Sequence, residues 1–224
     1  MTGNSPPWMA KWSHDLRGPL SPIQSALFLL RHGGVQGTER DELFELIDRQ
    51  IRRLSGMIDE IGDWVRADQG RLLSRSGPID LAQMVEASRG LGAAAVPVRY
   101  LGGADEACVE GDASRLANLL STFFWLIAAR NGTEHPGSGD GATIEAVDGW
   151  VELSGVINPA VLGGGDVESL FTQPQPAPMG DGLGLRLLIA HAIASGHGGQ
   201  LQARAGEGGS TRVELRLPLA RRSG

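Results

Sequence analysis

The sequence contains a single cysteine, Cys108, so no intrachain disulfide can form and a reducing compartment, the cytoplasm, is expected. It has no CxxC pair and no histidine-rich cluster, the spacings that would suggest a metal site. No run of about 18 apolar residues occurs, so no membrane span is expected. The opening MTGNSPPW has no charged segment leading into an apolar core, so it does not read as a signal peptide. Basic excess is missing as well: a formal charge of −6 argues against a nucleic-acid partner. What remains is 41% hydrophobic and 21% charged residues, the balance of a soluble globular protein. At 224 residues there is room for one large domain or two small ones.

The first third reads as two helices. Met9, Leu16, Ile23 and Leu30 recur every seven residues, with Trp12, Leu20 and Leu27 beside them, which is the stripe of a bundle helix. Ser5, Pro6 and Pro7 read as its start, and the helix is expected from about Trp8 to Arg31. His32 to Gly37 then breaks it. Thr38 followed by Asp41 is a capping pattern for a second helix. Its apolar residues Phe44, Ile47, Ile51, Leu54, Ile58, Ile61 and Val65 follow at alternating spacings of 3 and 4. Two such stripes in an antiparallel hairpin cannot cover each other fully. A second copy completing a four-helix bundle would cover them, as would packing against the rest of the same chain.

The texture changes after residue 70. The division expected is a helical hairpin over 1–70, a polar linker over 71–77, and an α/β sandwich over 78–224. Helices are expected at Asp80–Arg89, Ala113–Arg130 and Leu185–Ser195. Short strands are expected at Val96–Tyr100, Cys108–Val109, Thr143–Val147, Val151–Ile157, Leu201–Ala205 and Thr211–Leu217. In the last of these, Val213, Leu215 and Leu217 share one face. Strands mixed with helices in this way make the fold class α+β.

The stretch Ser13-His14-Asp15-Leu16-Arg17-Gly18-Pro19-Leu20 stands out. In the register of the apolar stripe His14 faces outward, and a carboxylate follows it directly. An exposed imidazole with Asp15 beside it suits a nucleophile that accepts a group from a partner. Pro19, five residues on, predicts a bend just below the histidine. The string resembles the phosphoacceptor box of sensor histidine kinases, and the later segments follow that family's order from Trp8 to Leu219. The resemblance implies His14 as phosphoacceptor and Asp15 as its activating carboxylate. Arg17, on the same face, fits charge compensation or docking, or is a plain solubilising residue. In relatives with phosphatase activity the place of Gly18 usually holds threonine or asparagine.

The resemblance extends to an ATP-binding domain, whose boxes are uneven here. After Asp112-Ala-Ser-Arg115-Leu116, the family's magnesium-binding asparagine falls on Leu126, and an earlier asparagine on Thr122. Leucine offers no oxygen to a cation that takes only oxygen ligands. The aspartate that reads adenine in the family falls on Ile157, and the glycines after it on Pro159 and Ala160. The segment between Phe171 and Gly180 is short and holds three prolines. Gly180, Gly182 and Gly184 survive as a glycine box opening a helix, with His197-Gly198-Gly199 after it. These glycines either cradle phosphate or simply permit a tight turn. Losing a buried hydrogen-bond partner costs about 1–3 kcal/mol, so these losses imply a weakened or absent nucleotide site.

Three readings stay open. One is a histidine phosphotransfer protein derived from a sensor kinase, relaying phosphoryl between response-regulator receiver domains through His14, without cofactor or metal of its own. Another is a divergent but active ATP-dependent kinase, which would need ATP and magnesium. The third is a non-catalytic pseudokinase scaffold that binds kinases or receivers. Expected partners are receiver domains, a hybrid histidine kinase and a second copy of the chain, with no nucleic acid and no membrane. Thirteen residues precede His14, too few for a sensor domain, so input is expected through another protein.

Overall fold

A computed structural model describes residues 7–89, 96–128, 141–157, 167–175, 182–205 and 210–220. Three helices come first: α1 (Pro7–Arg17), α2 (Leu20–His32) and α3 (Thr38–Asp68). The single first helix expected from Trp8 to Arg31 is in fact two. Pro19 has no N–H to give the Asp15 carbonyl, which accepts instead from Gly18 N at 3.2 Å, and the turn tightens there. Ser5 and Pro6, expected to start α1, lie outside the described residues. The turn before α3 uses Gly34 and Gly37 at positive φ. Thr38 is the first residue of α3 and not its cap, because the Gly37 carbonyl receives the Arg40 and Asp41 N–H groups. Among the described residues no helix is long and apolar enough to cross a membrane.

The remainder is a sheet backed by helices. Strands β1 (Gly77–Asp80) and β3 (Cys108–Gly111) pair antiparallel as a small ribbon. The ribbon's β1 falls in a stretch where no strand was expected. The main sheet has the order β2 (Val98–Leu101), β4 (Ala142–Val147), β5 (Trp150–Ile157), β7 (Thr211–Pro218), β6 (Gln200–Ala205). Only β2 and β4 run parallel; the other neighbours are antiparallel. Along β7 the residues Thr211, Val213, Leu215 and Leu217 are buried while Arg212, between the first two, is exposed, the period of a sheet with one face on a core. Helices α4 (Leu81–Arg89), α5 (Ala113–Ala128) and α6 (Arg186–Gly196) supply the other side of that core. Phe123, Leu119 and Leu120 of α5 meet Ile144, Leu153 and Ile157 from the sheet there.

The hairpin and the sandwich share core. Met57 of α3 is 1% exposed and joins the same cluster as the sandwich residues, with Ile61, Trp64 and Ala67 packed against it. Trp12 meets Trp64 edge-on at 5.5 Å between ring centroids, so α1 is tied to α3 at this level. Packing against the same chain therefore covers one side of α3. The other side stays open: Phe44, Ile51, Ile58 and Val65, each seven residues from the next, are all exposed.

Candidate functional site

The outward register of His14 follows from α1 alone. Trp12 turns inward and is buried, which puts His14 on the far side of the helix with 88% of its side chain exposed. Its Nδ1 lies 3.2 Å from Asp15 Oδ1. A carboxylate only accepts, so in the neutral imidazole this contact puts the proton on Nδ1 and leaves the Nε2 lone pair free. Asp15 is also approached by Lys11 Nζ at 3.9 Å, one helical turn back. Arg17 is exposed, on the last turn of α1. The arrangement is an unprotonated, accessible ring nitrogen with its opposite edge held by a carboxylate, which is what an attack on a phosphorus atom requires.

The boxes of the nucleotide region are placed very differently. Leu126 and Ile157 are each 1% exposed and belong to the common core. Thr122 is buried as well, and its hydroxyl oxygen accepts from Arg186 Nε at 3.3 Å. Arg186 also lies over the Trp125 ring, 4.6 Å from its centroid. Gly180, Pro159 and Ala160 lie outside the described residues. Gly184 has φ +83°, and a side chain there would run into the Gln175 backbone, whose N–H donates to the Gly184 carbonyl at 2.9 Å. A side chain at Gly182 would collide with the carboxylate of Glu60 from α3. That carboxylate accepts the Leu183 N–H at 2.8 Å. Burial pushes the Glu60 carboxyl up, against the opposing pull of the Leu183 and Leu185 N–H groups and the Arg186 guanidinium.

Two cavities flank Glu60, and His14 lines neither. One, of about 390 Å³, is bordered by Arg49, Arg52, Arg53, Gly56, Glu60 and Gly182. The other, of about 220 Å³, is bordered by Asp59, Glu60, Asp63, Asn118 and Arg186 among others. Among the described residues no cluster of three or more His, Cys, Asp or Glu side chains is arranged to hold a metal. At Leu126 and Ile157, where the resemblance puts ligands for a magnesium–nucleotide complex, apolar core stands in place of oxygen donors, and a carboxylate lies against Gly182.

Glu60, Asp63 and Arg186 belong to no motif in the sequence. Glu60 and Asp63 stand three residues apart on α3, a spacing that solvent-facing acids share. Arg186 had a local signal, a large cation directly after the Gly-Leu-Gly-Leu run. His197 has a structural job: its Nε2 accepts the Asp112 N–H at 3.0 Å and its Nδ1 donates to the Ile193 carbonyl at 2.8 Å. Asp112 gathers the Ser74 and Arg75 backbone and the Ser114 hydroxyl. Burial opposes its charge, but those donors outweigh burial and hold its carboxyl well below the usual carboxylate range.

With this geometry in place, the comparisons with known proteins are coherent. Residues 8–70 match the model of the His Kinase A (phospho-acceptor) domain. The chain is 25% identical to the signal transduction histidine-protein kinase BaeS of Escherichia coli, over 96% of this chain and 47% of BaeS. It spans less than half the length of that relative. The solved histidine kinase AdeS of Acinetobacter baumannii superposes with a TM-score of 0.66 at 19% identity, covering 93% of this chain and 98% of AdeS. The histidine kinase ThkA, solved in complex with the response regulator protein TrrA, superposes with a TM-score of 0.58 at 16% identity, covering 96% of this chain and 62% of that one. These two share the fold. Residues 8–70 are thus similar to the phosphoacceptor hairpin of histidine kinases, and the whole chain shares the fold of those solved kinases, a helical hairpin followed by a helix-backed sheet.

Proposed function

We propose that the chain is a histidine phosphotransfer protein derived from a sensor kinase, which relays phosphoryl between receiver domains through His14. The observation that carries this reading is the contrast between an intact, exposed His14–Asp15 pair and buried Leu126 and Ile157 where the resemblance puts metal and adenine ligands. The Nε2 lone pair attacks the phosphorus of a receiver's phosphoaspartate, the N–P bond forms, and the aspartate leaves as its carboxylate. Nε2 carries no proton to lose, and the proton stays on Nδ1, hydrogen-bonded to the Asp15 carboxylate, as positive charge develops on the ring. Asp15 is thus the positioning carboxylate, and Arg17 lies on the surface that meets the incoming phosphoryl group. A receiver as partner is supported by the ThkA complex with a response regulator protein.

Two copies make the working unit in this reading. Phe44, Ile51, Ile58 and Val65 on α3, with Leu20 and Leu27 on α2, form an uncovered apolar surface. A second hairpin would bury it as a four-helix bundle. The division follows accordingly: acceptor hairpin over 1–70, linker over 71–77 and sandwich over 78–224, with Gly182 and Gly184 serving the turn and no bound nucleotide.

One finding favours a second reading, an ATP-dependent kinase: the curated relatives are named as sensor kinases. Calorimetry with ATP and magnesium decides between them. The relay reading predicts no affinity tighter than millimolar; a micromolar dissociation constant overturns it in favour of the kinase.

A further inference from the structure

Two acids on one face of α3, Glu60 and Asp63, reach out of the hairpin to different elements of the sandwich. Glu60 accepts the Leu183 N–H at 2.8 Å, in the glycine turn just ahead of α6. Asp63 Oδ2 accepts from Arg115 Nη1 at 2.7 Å, in the first turn of α5, while its other oxygen accepts from Arg66 on its own helix at 2.9 Å. Spacing of three residues on a helix sets both carboxylates side by side, so one helix face holds two separate elements at once. Both ends of the Asp63–Arg115 pair are largely buried, at 17% and 20% side-chain exposure, where a charge-assisted bond is strong and its loss is felt.

We propose that Glu60 and Asp63 form a latch on α3 that clamps the glycine turn and the start of α5, and so fixes the sandwich beside the hairpin. At the glycine turn the latch does more than hold. The Leu183 N–H is an orphan donor ahead of a helix, a position where anions bind, and Glu60 supplies the anion from within the chain. Gly182 has no side chain because the carboxylate fills that space. Arg186, at the first position of α6, lines the same cavity as Glu60, its charge favours the Glu60 carboxylate, and it is itself anchored by Thr122 and Trp125. The contact therefore closes the turn to outside anions and ties it to the hairpin in one step. Any movement of the sandwich relative to α3 must first break these two contacts. The latch concerns α3 and the sandwich only, so it stands or falls separately from phosphotransfer at His14.

The test is hydrogen exchange followed by mass spectrometry on the full chain. Glu60→Lys sets a cation against Arg186 and should speed exchange over residues 182–189 by about tenfold or more. Peptides from β5 and β7 should keep wild-type protection. Asp63→Arg should speed exchange over residues 113–119 at the start of α5, and adding Arg115→Asp should reverse it by restoring the pair in swapped order. Unchanged exchange over 182–189 in Glu60→Lys, or over 113–119 in Asp63→Arg, overturns the latch. Should Glu60→Lys unfold the whole chain, the swap decides alone: failure of the double variant to restore protection is then the contrary result.

Discussion

The hairpin around His14 and the glycine turn before α6 are the two places where phosphate chemistry is expected, and they have opposite characters. At His14 the reactive atom points to solvent and its supporting group is one residue away. At the glycine turn each feature is answered from inside the chain: Glu60 takes the backbone donor, and Arg186 bonds Thr122 and lines the same cavity as Glu60. The difference is one of access: the first site is open to a partner, and the second is occupied by groups of the same chain. Leu126 and Ile157 are not gaps in a pocket; they are well-packed core.

The comparison breaks most sharply at the open face of the hairpin. Ile51→Glu with Ile58→Glu would set four like charges in a bundle core, and should dissociate or unfold the dimer outright. Analytical ultracentrifugation at micromolar concentration reads this directly. A wild-type monomer there contradicts the bundle.

Next in size is an attempt to restore the lost ligand. Leu126→Asn puts an amide without a partner where a leucine is 1% exposed. It should cost about 2–4 kcal/mol of stability in urea titration, combining lost burial with an unsatisfied amide. ATP affinity should not return. Recovery of magnesium-dependent ATP binding without loss of stability would show that the region is a pocket and not core.

Acid sharpens the same contrast. The Asp112 carboxyl is held low by the donors that fasten residues 74 and 75 to the start of α5. A carboxyl depressed in the folded state adds stability that is fully present above its unfolded value, about 3.9, and is lost as pH falls through the folded value. The urea midpoint of the wild type should therefore fall below about pH 4 more steeply than that of Asp112→Asn.

The smallest effect is expected at the helix break. Gly18→Ala replaces the less helix-favouring residue, but its Cβ would stand 3.2 Å from the Asp15 carbonyl oxygen. The gain in propensity and the tight contact oppose each other, so stability should move by less than about 1 kcal/mol. Thermal melts of the two proteins check this.

Much of the fold was legible because it rests on periodicity. The seven-residue stripe placed α2 and α3, and alternation in Val213, Leu215 and Leu217 placed β7. The break between α1 and α2 was legible only as a bend, since proline announces a lost donor but not how the chain closes around it. Strand β1 escaped notice because Gly77-Pro78-Ile79-Asp80 carries no strand pattern; its pairing to β3 comes from tertiary context. At the candidate site, His14 and Asp15 were readable because neighbours in sequence are neighbours in space. Glu60 and Leu183 are 123 residues apart, and no local pattern joins them. Arg186 is marked only by its charge after the Gly-Leu-Gly-Leu run, and its partners Thr122 and Trp125 come from another element, α5.

The central claim is that His14 takes phosphoryl from a partner. The most direct measurement mixes the full chain with radiolabelled, phosphorylated receiver domains and follows base-stable, acid-labile label on the chain. Wild type should become labelled, Asp15→Ala should label several-fold more slowly, and His14→Gln should stay unlabelled while sedimenting as wild type does. Equal labelling of wild type and His14→Gln would contradict the account. So would an unlabelled wild type in the presence of a receiver that demonstrably binds it.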